Sequence, residues 1–308
     1  MKIVFLDRST LGEDVSLEAL NEFGEITIYD VTKAEETLQR VKDADIVITN
    51  KVIIDKNIMD NSNIKLICVS ATGMNNIDLE YAASKNIPVK NVAGYSSASV
   101  TQLAIAMALH FMQKLSYYDK YTKEGNWQNS EIFTHIAEPF NELEGKKWGI
   151  IGFGNIGKNV ARVAEGFGCE VTYNSTSGAN FDSQYIGVGL NEILMKSDII
   201  SIHCPLNDAT LNLLNETNLE FIKDGAILIN LARGGIINEE ALAREIEKGR
   251  FYCAIDTVSK EPIEKDSPLL NIKNNEKFLL TPHIGWASVE ARKRLIKGVV
   301  ANIKEFVL

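Results

Sequence analysis

The hexapeptide Gly152-Phe153-Gly154-Asn155-Ile156-Gly157 constrains this chain more than any other stretch. It follows the apolar run Trp148-Gly149-Ile150-Ile151 and precedes a helical-looking stretch at residues 158–167. A second apolar run, residues 169–173, comes next. Strand, glycine turn, helix, strand is the context in which G-x-G-x-x-G marks a dinucleotide site. Gly152 permits the tight turn, and Gly154 lets a pyrophosphate approach the backbone. Gly157 lets the helix pack closely on the strand, so that its N-terminal amides face the phosphates. Alone, the hexapeptide also suits a purely structural strand-to-helix turn, and it is the flanking pattern that favours a nucleotide.

At 308 residues the chain exceeds one typical core, so two domains are expected. Hydrophobic residues at 45% and charged residues at 24% describe an ordinary globular composition. A net charge of −9 has the wrong sign for nucleic acid or an anionic membrane surface. No apolar run approaches the roughly 20 residues that span a bilayer. The N-terminus reaches Asp7 after four apolar residues and reads as a first strand, not a signal peptide. Cys68, Cys169, Cys204 and Cys253 are scattered without C-x-x-C spacing. They read as reduced small hydrophobes in a cytoplasmic protein, with no metal or disulfide role.

Residues 1 to about 95 alternate short apolar strands (2–6, 25–29, 45–49, 64–69, 89–92) with helical stretches (17–23, 34–41, 81–85). That alternation implies a parallel sheet with helices on both faces, an α/β fold. Its glycine-marked loop, Ser70-Ala71-Thr72-Gly73-Met74-Asn75-Asn76, sits at a strand end, where open α/β sheets bind ligands. Free amides there suit a small carboxylate, although a plain connection reads equally well. A helical run from Val100 to about Tyr118 follows, with apolar residues on more than one face, as in a helix buried between domains or subunits. His110 on it reads as a packed core histidine. Residues 124–144 read as a surface loop, with His135 solvated.

After the glycine turn come helices at 190–196, 218–222 and 239–248, and strands at 198–203, 226–230, 252–256 and 278–281. The final stretch, 287–307, carries Leu295, Val299, Ile303 and Phe306 at helical spacing, and is expected to pack back on the first domain. The expected domains are 1–97 plus 287–308, for the substrate, and 98–286, for the dinucleotide.

The fingerprint predicts an acidic residue about 20 positions on, to hold the ribose diol. Asn174 stands there, followed by Ser175 and Thr176. Asparagine can still bond a ribose hydroxyl, and it removes a charge that would repel a 2′-phosphate. No basic residue follows to grip that phosphate. NAD is the preferred reading, with NADP open.

Three strand ends carry a coherent chemistry. Arg233 lies in Asn230-Leu231-Ala232-Arg233-Gly234-Gly235, and an arginine fork suits the carbonyl and carboxylate of an oxo acid. Asp256 and Glu261 lie in Asp256-Thr257-Val258-Ser259-Lys260-Glu261-Pro262. His283 follows Thr281-Pro282; near-neutral imidazole can pass the proton when a carbonyl becomes an alcohol. A neighbouring carboxylate would orient it and favour its protonated form. Singly, Arg233 suits a surface charge, Glu261 a solvated turn and His283 a helix cap; jointly they favour a site.

These motifs resemble the D-isomer-specific 2-hydroxyacid dehydrogenases over essentially the whole chain. The match is carried by 152–157, by Ser197-Asp198-Ile199-Ile200-Ser201-Ile202-His203-Cys204-Pro205 with Thr210, by 230–235, by 256–262 and by 281–288. The resemblance implies Arg233 as the substrate-binding catalytic arginine, His283 as the proton donor and Glu261 as its paired acid. It implies that Asp256 contacts the nicotinamide carboxamide and that Asn155 and Ile156 contact the pyrophosphate. Cys204, Pro205 and Ala232 would line the cofactor, with Thr101, Thr210, Leu231 and Gly285. Ala71, Thr72, Gly73 and Met74 would hold the substrate carboxylate. Two doubly wound domains are implied, one flavodoxin-like and one Rossmann, with a cleft that closes and a homodimer built through the helix after Ser99. Trp286 looks most like the glycerate dehydrogenase (hydroxypyruvate reductase) branch, and could wall the substrate pocket or simply pack. Asn174 and Ser259 depart from the family pattern. The expected reaction is reversible hydride transfer between NAD(P)H and a small 2-oxo acid such as hydroxypyruvate or glyoxylate. Rival readings keep the core but use D-lactate, formate, phosphite or 3-phosphoglycerate, or make the chain a nucleotide-sensing, corepressor-like binding protein.

Overall fold

The computed structural model describes residues 1–274 and 276–308. The chain forms two compact units, Met1–Ser96 with Trp286–Leu308, and Ser97–Gly285. The junction residues Ser97 and Trp286 therefore lie on the opposite side of each boundary from the one expected.

The first unit begins with β1 (Lys2–Phe5), β2 (Glu25–Ile28), α1 (Ala34–Val41), β3 (Ile46–Thr49), α2 (Lys56–Asp60), β4 (Leu66–Val69), α3 (Leu79–Ser84) and β5 (Val89–Lys90). Its five strands pair in parallel in the order β2-β1-β3-β4-β5, the flavodoxin-like arrangement. Every residue of β3 and β4 is buried, as continuous apolar runs in the centre of a two-faced sheet require. Residues 18–23 form a 3₁₀ turn where a helical stretch was expected.

The second unit contains α4 (Ser97–Gln113), α5 (Leu115–Lys123), β6 (Lys147–Ile151), α6 (Asn155–Gly166), β7 (Glu170–Asn174), β8 (Ile186–Gly187), α7 (Leu190–Lys196), β9 (Ile199–Ile202), β10 (Ile227–Asn230), α8 (Glu239–Glu247), β11 (Tyr252–Ile255) and β12 (Phe278–Leu280). The parallel order is β12-β11-β10-β9-β6-β7-β8. Outward from β6 this is the Rossmann order, with one strand added beyond the sixth. The strand order reverses between β6 and β9, so the ligand crevice of such a sheet lies above those two strands' carboxyl ends. Trp148 of β6 is fully buried and donates its indole N–H to Ser201 Oγ of β9 at 2.9 Å, locking the two central strands.

α9 (Val289–Val307) closes the first unit. Leu295, Val299 and Ile303 are fully buried in one core with Ile3, Phe5 and Leu66. At Gly298 a Cβ would sit 2.4 Å from Val92 Cγ1, so the helix axis approaches β5's exit closely.

Further local expectations are corrected. The run from Val100 to Tyr118 is two helices, broken where Lys114 takes a left-handed conformation (φ 48, ψ 35). His110 is exposed and meets Phe111 edge-on, because the buried face of α4 runs through Met107, Ala108 and Phe111. His135 is half-buried, not solvated: its ring stacks on Tyr121 with centroids 3.6 Å apart, and Nε2 lies 2.8 Å from Tyr117 Oη. Residues 219–221 are a 3₁₀ turn, and the short edge strand β8 had no apolar run to announce it. Among the described residues no helix is long and apolar enough to cross a membrane.

Candidate functional site

The glycine turn joins β6 to α6. Gly152 has φ +93, and a Cβ there would lie 2.3 Å from the Cys204 nitrogen. Its amide donates to Asn174 O at 2.9 Å, which ties the turn to the end of β7. A Cβ on Gly157 would lie 2.3 Å from Gly152 O, so only glycine lets α6 start this close to the strand. Gly154 faces open space, with nothing within 4 Å of its added Cβ. The amides of Asn155 and Ile156 open α6 and have no acceptor within the helix. Two glycines locked by backbone, one opening outward and free helix amides beside it make a cradle that fits a dinucleotide pyrophosphate.

At the end of β7, Asn174 turns its amide inward and donates to Val188 O at 2.9 Å. The next loop closes on itself: Ser175 Oγ accepts from Asn180 N, and Ser177 Oγ accepts from Ala179 N, both at 3.2 Å. Thr176 lies in the same turn. A basic residue that the sequence reading overlooked stands close by in α6. Lys158 pairs with Asp182 at 3.3 Å and lies over the Phe153 ring, which stacks on Tyr173.

The ends of β10, β11 and β12 are stitched together. Asn230, 2% exposed, holds the first: Oδ1 accepts from Ala232 N at 3.1 Å and Nδ2 donates to Arg233 O at 2.9 Å. Arg233 is exposed, and its guanidinium donates to Ala232 O at 2.8 Å. Gly234 packs backbone to backbone on the next loop, since a Cβ would lie 2.0 Å from the Val258 carbonyl carbon. Ser259, in that loop, donates through N–H and hydroxyl to Glu239 at 2.6 and 2.8 Å. Asp256, also 2% exposed, accepts from Thr281 Oγ1 at 2.6 Å, Ile284 N at 2.8 Å and Gly285 N at 2.8 Å. It therefore fixes the loop that carries His283. That histidine has φ 53, a left-handed conformation sparsely used by residues with side chains. Its Nδ1 lies 2.8 Å from Glu261 Oε2 in a partly exposed pair. The Arg233 turn, the Glu261 loop and the His283 loop thus converge through direct contacts. Asn230, Gly234 and Glu239 were absent from the sequence reading as site residues, and a single sequence carries no signal that separates them from ordinary turn residues.

The lining residues fall into two groups. Cys204, Leu231 and Ala232 are buried at strand ends, and burial pushes the Cys204 thiol up to about 11, so it stays a neutral packing group. Pro205 is exposed. Thr101 and Thr210 are buried with their hydroxyls turned to their own segments: Thr101 donates to Ser97 O at 2.8 Å, and Thr210 to Pro205 O at 2.6 Å. Gly285 is buried, and an added Cβ would lie 2.9 Å from Asp256 Oδ2. His203, at the end of β9, has both ring nitrogens buried with no hydrogen-bond partner among the described residues. Burial pushes its pKa down to about 3, so the ring is neutral.

In the first unit the loop of Ala71, Thr72, Gly73 and Met74 is held from below. Thr72 Oγ1 donates to Val92 O at 3.1 Å, and Asn91 Nδ2 donates to Thr72 O at 2.6 Å. The amides of Thr72, Gly73 and Met74 donate to no acceptor among the described residues. Trp286 packs edge-on against Tyr95, centroids 6.4 Å apart, beside the α9 core.

Residues 105–285 match the model of the D-isomer specific 2-hydroxyacid dehydrogenase NAD binding domain. A hydroxypyruvate reductase of Blautia hydrogenotrophica is 39% identical over 99% of this chain and 97% of its own. An acyclic imino acid reductase, solved with NADPH and D-Arg, superposes with a TM-score of 0.86 at 29% identity, covering 100% of this chain and 97% of that one. A D-lactate dehydrogenase from Aquifex aeolicus, solved with NAD and lactic acid, gives 0.83 at 27% identity over 99% and 95%. The matched region contains the glycine cradle and all three converging strand ends, and the full-length relative extends the likeness to both units. The chain belongs to the D-isomer-specific 2-hydroxyacid dehydrogenase family and is an oxidoreductase that works with a nicotinamide cofactor.

Proposed function

We propose that this protein reduces hydroxypyruvate, and more slowly glyoxylate, to the D-2-hydroxy acid in a reversible reaction. The pairing of His283 Nδ1 with Glu261 Oε2 at 2.8 Å, on a loop pinned by Asp256, is the observation that carries this reading. Glu261 accepts from Nδ1–H and orients the ring, so that the imidazolium form presents Nε2–H to the carbonyl oxygen and gives that proton to it. Arg233 binds the oxo acid and stabilises the negative charge that develops on that oxygen. Bound nicotinamide supplies the hydride. The Gly152 turn, Asn155 and Ile156 would hold the pyrophosphate; Cys204, Pro205, Leu231 and Ala232 would line the rest. The first unit is the substrate domain in this reading. The unsatisfied amides of its loop support a carboxylate-binding role for Ala71, Thr72, Gly73 and Met74. Trp286 packs on Tyr95 within the first unit, which supports the packing alternative for it.

NADH is the proposed cofactor. The Lys158 ammonium is already paired with Asp182, which supports NADH over a cofactor carrying a 2′-phosphate. The hydroxypyruvate reductase at 39% identity supports the substrate. The protein is proposed to act in the cytoplasm, as a homodimer built through α4 and the segment after it.

Initial rates with NADH and NADPH against hydroxypyruvate, glyoxylate, pyruvate and longer 2-oxo acids test this. Hydroxypyruvate with NADH should give the highest kcat/KM. His283→Ala and Arg233→Ala should each lower kcat by roughly 10²–10⁴-fold. Near-full turnover by either variant defeats the assignment, and NADH binding without turnover of any acid in the panel favours a sensor.

A further inference from the structure

His203 follows directly on β9. The register places Ile202 beside Ile151 of β6 and Asn230 of β10, so His203 is the next position out, between the Gly152 turn and Leu231. Its backbone amide donates to Ile151 O at 2.7 Å, which keeps it in line with the strand. This is where the strand order reverses, the point at which an open α/β sheet takes its ligand. By two-residue alternation the side chain shares the face of Ile199 and of Ser201, whose hydroxyl binds Trp148. Both of its ring nitrogens are buried and neither has a partner among the described residues. A buried, unpaired polar atom is costly, and native proteins keep one where something else completes it. Packing alone would be served better by leucine or phenylalanine.

We infer that His203 is a cofactor-binding residue: its neutral imidazole donates one ring N–H to a ribose or phosphate oxygen of the bound nicotinamide dinucleotide. No proton is transferred. The inference rests on the nicotinamide-cofactor reading of the glycine cradle.

The first test uses the unmodified protein with ¹⁵N-labelled histidine. The chain has only 4 histidines, at 110, 135, 203 and 283, so the ring signals can be separated and assigned by single substitutions. Titration with NAD⁺ should move a His203 ring nitrogen towards the hydrogen-bonded range. The second test measures NADH affinity by fluorescence and apo melting temperature for His203→Phe and His203→Asn. His203→Phe keeps the ring volume and removes both nitrogens. It should weaken NADH about tenfold, with the apo melting temperature equal or higher. His203→Asn keeps an N–H donor and should restore most of the affinity. If His203→Phe does not fold, the ring-nitrogen titration decides. Saturable NAD⁺ binding with an unmoved His203 signal, or wild-type NADH affinity in a folded His203→Phe, overturns the inference and leaves the cofactor reading intact. Absence of any dinucleotide binding by the wild type overturns both.

Discussion

Asp256 shows how one side chain can decide whether a site exists. Its carboxylate is buried and satisfied by a hydroxyl and two backbone amides, all on the loop that presents His283. Hydrogen bonds to a charged acceptor are worth about 1.5–3 kcal/mol each, and unsatisfied buried donors cost a similar amount. Asp256→Ala should therefore lower stability by about 3 kcal/mol in denaturant titration, with an unchanged m-value, and abolish turnover by freeing the His283 loop. A variant of wild-type stability would show that other contacts hold that loop. His203 gives a second residue-scale prediction, through pH. Its folded pKa is depressed to about 3, against 6.5 for the free side chain. Below pH 6.5 the unfolded chain takes up a proton that the folded protein refuses, so stability is present above that value and falls as pH drops towards 3. The slope approaches about 1.4 kcal/mol per pH unit. Between pH 6.5 and 5, above the carboxylate range, wild type should lose stability and His203→Phe should not. Parallel curves for the two proteins would count against a neutral buried ring.

Strand ends act together because their loops touch through backbone. Gly234 is the clearest case, with a Cβ forbidden by the Val258 carbonyl at 2.0 Å. Gly234→Ala should push the Arg233 turn off the Glu261 loop. Its kcat should fall at least tenfold while NADH affinity, set at the Gly152 turn, changes little; a matched loss in both would place the damage elsewhere. The elements themselves were largely legible in the sequence, because buried parallel strands are short apolar runs and the glycine turn has a stereochemical reason for each glycine. What stayed hidden depended on contacts remote in sequence. No glycine or proline marks the break at Lys114; its ammonium pairs with Glu138 at 2.6 Å, a partner 24 residues away. His110 looked buried because α4 is apolar on several faces, and only the packing of α4 on α6 shows which face is covered. Asn174 read as a ribose ligand from its position; that one of its amide N–H groups also donates to Val188 is visible only through the pairing of β8. Arg233, Glu261 and His283 were expected as a set from their places at successive strand ends. The residues that hold them, Asn230 and Gly234, look like any turn.

At the scale of the whole molecule, the return of α9 to the first unit was readable from one apolar stripe, whereas the proposed association of two copies rests on exposed surface. Among the described residues, Leu115, Ile132, Phe133, Ile136 and Phe140 are large apolar side chains exposed within one segment of the second unit, Phe133 at 89%. The segment is nonetheless ordered by its own contacts, through His135 on Tyr121, Tyr118 Oη donating to Glu138 O, and Lys114 with Glu138. An ordered segment that leaves its large apolar groups in water is the signature of a surface completed by a partner. A second copy is the occupant that the proposed homodimer requires, and a stable dimer buries about 1,600 Å² in total. Sedimentation equilibrium should return twice the 34.2 kDa chain mass at micromolar concentration. The pair Phe133→Asp and Ile136→Asp should shift it to the single-chain mass, with the far-ultraviolet dichroism unchanged because neither side chain belongs to a core. A wild type that sediments as one chain at every concentration would leave that apolar segment without its proposed partner.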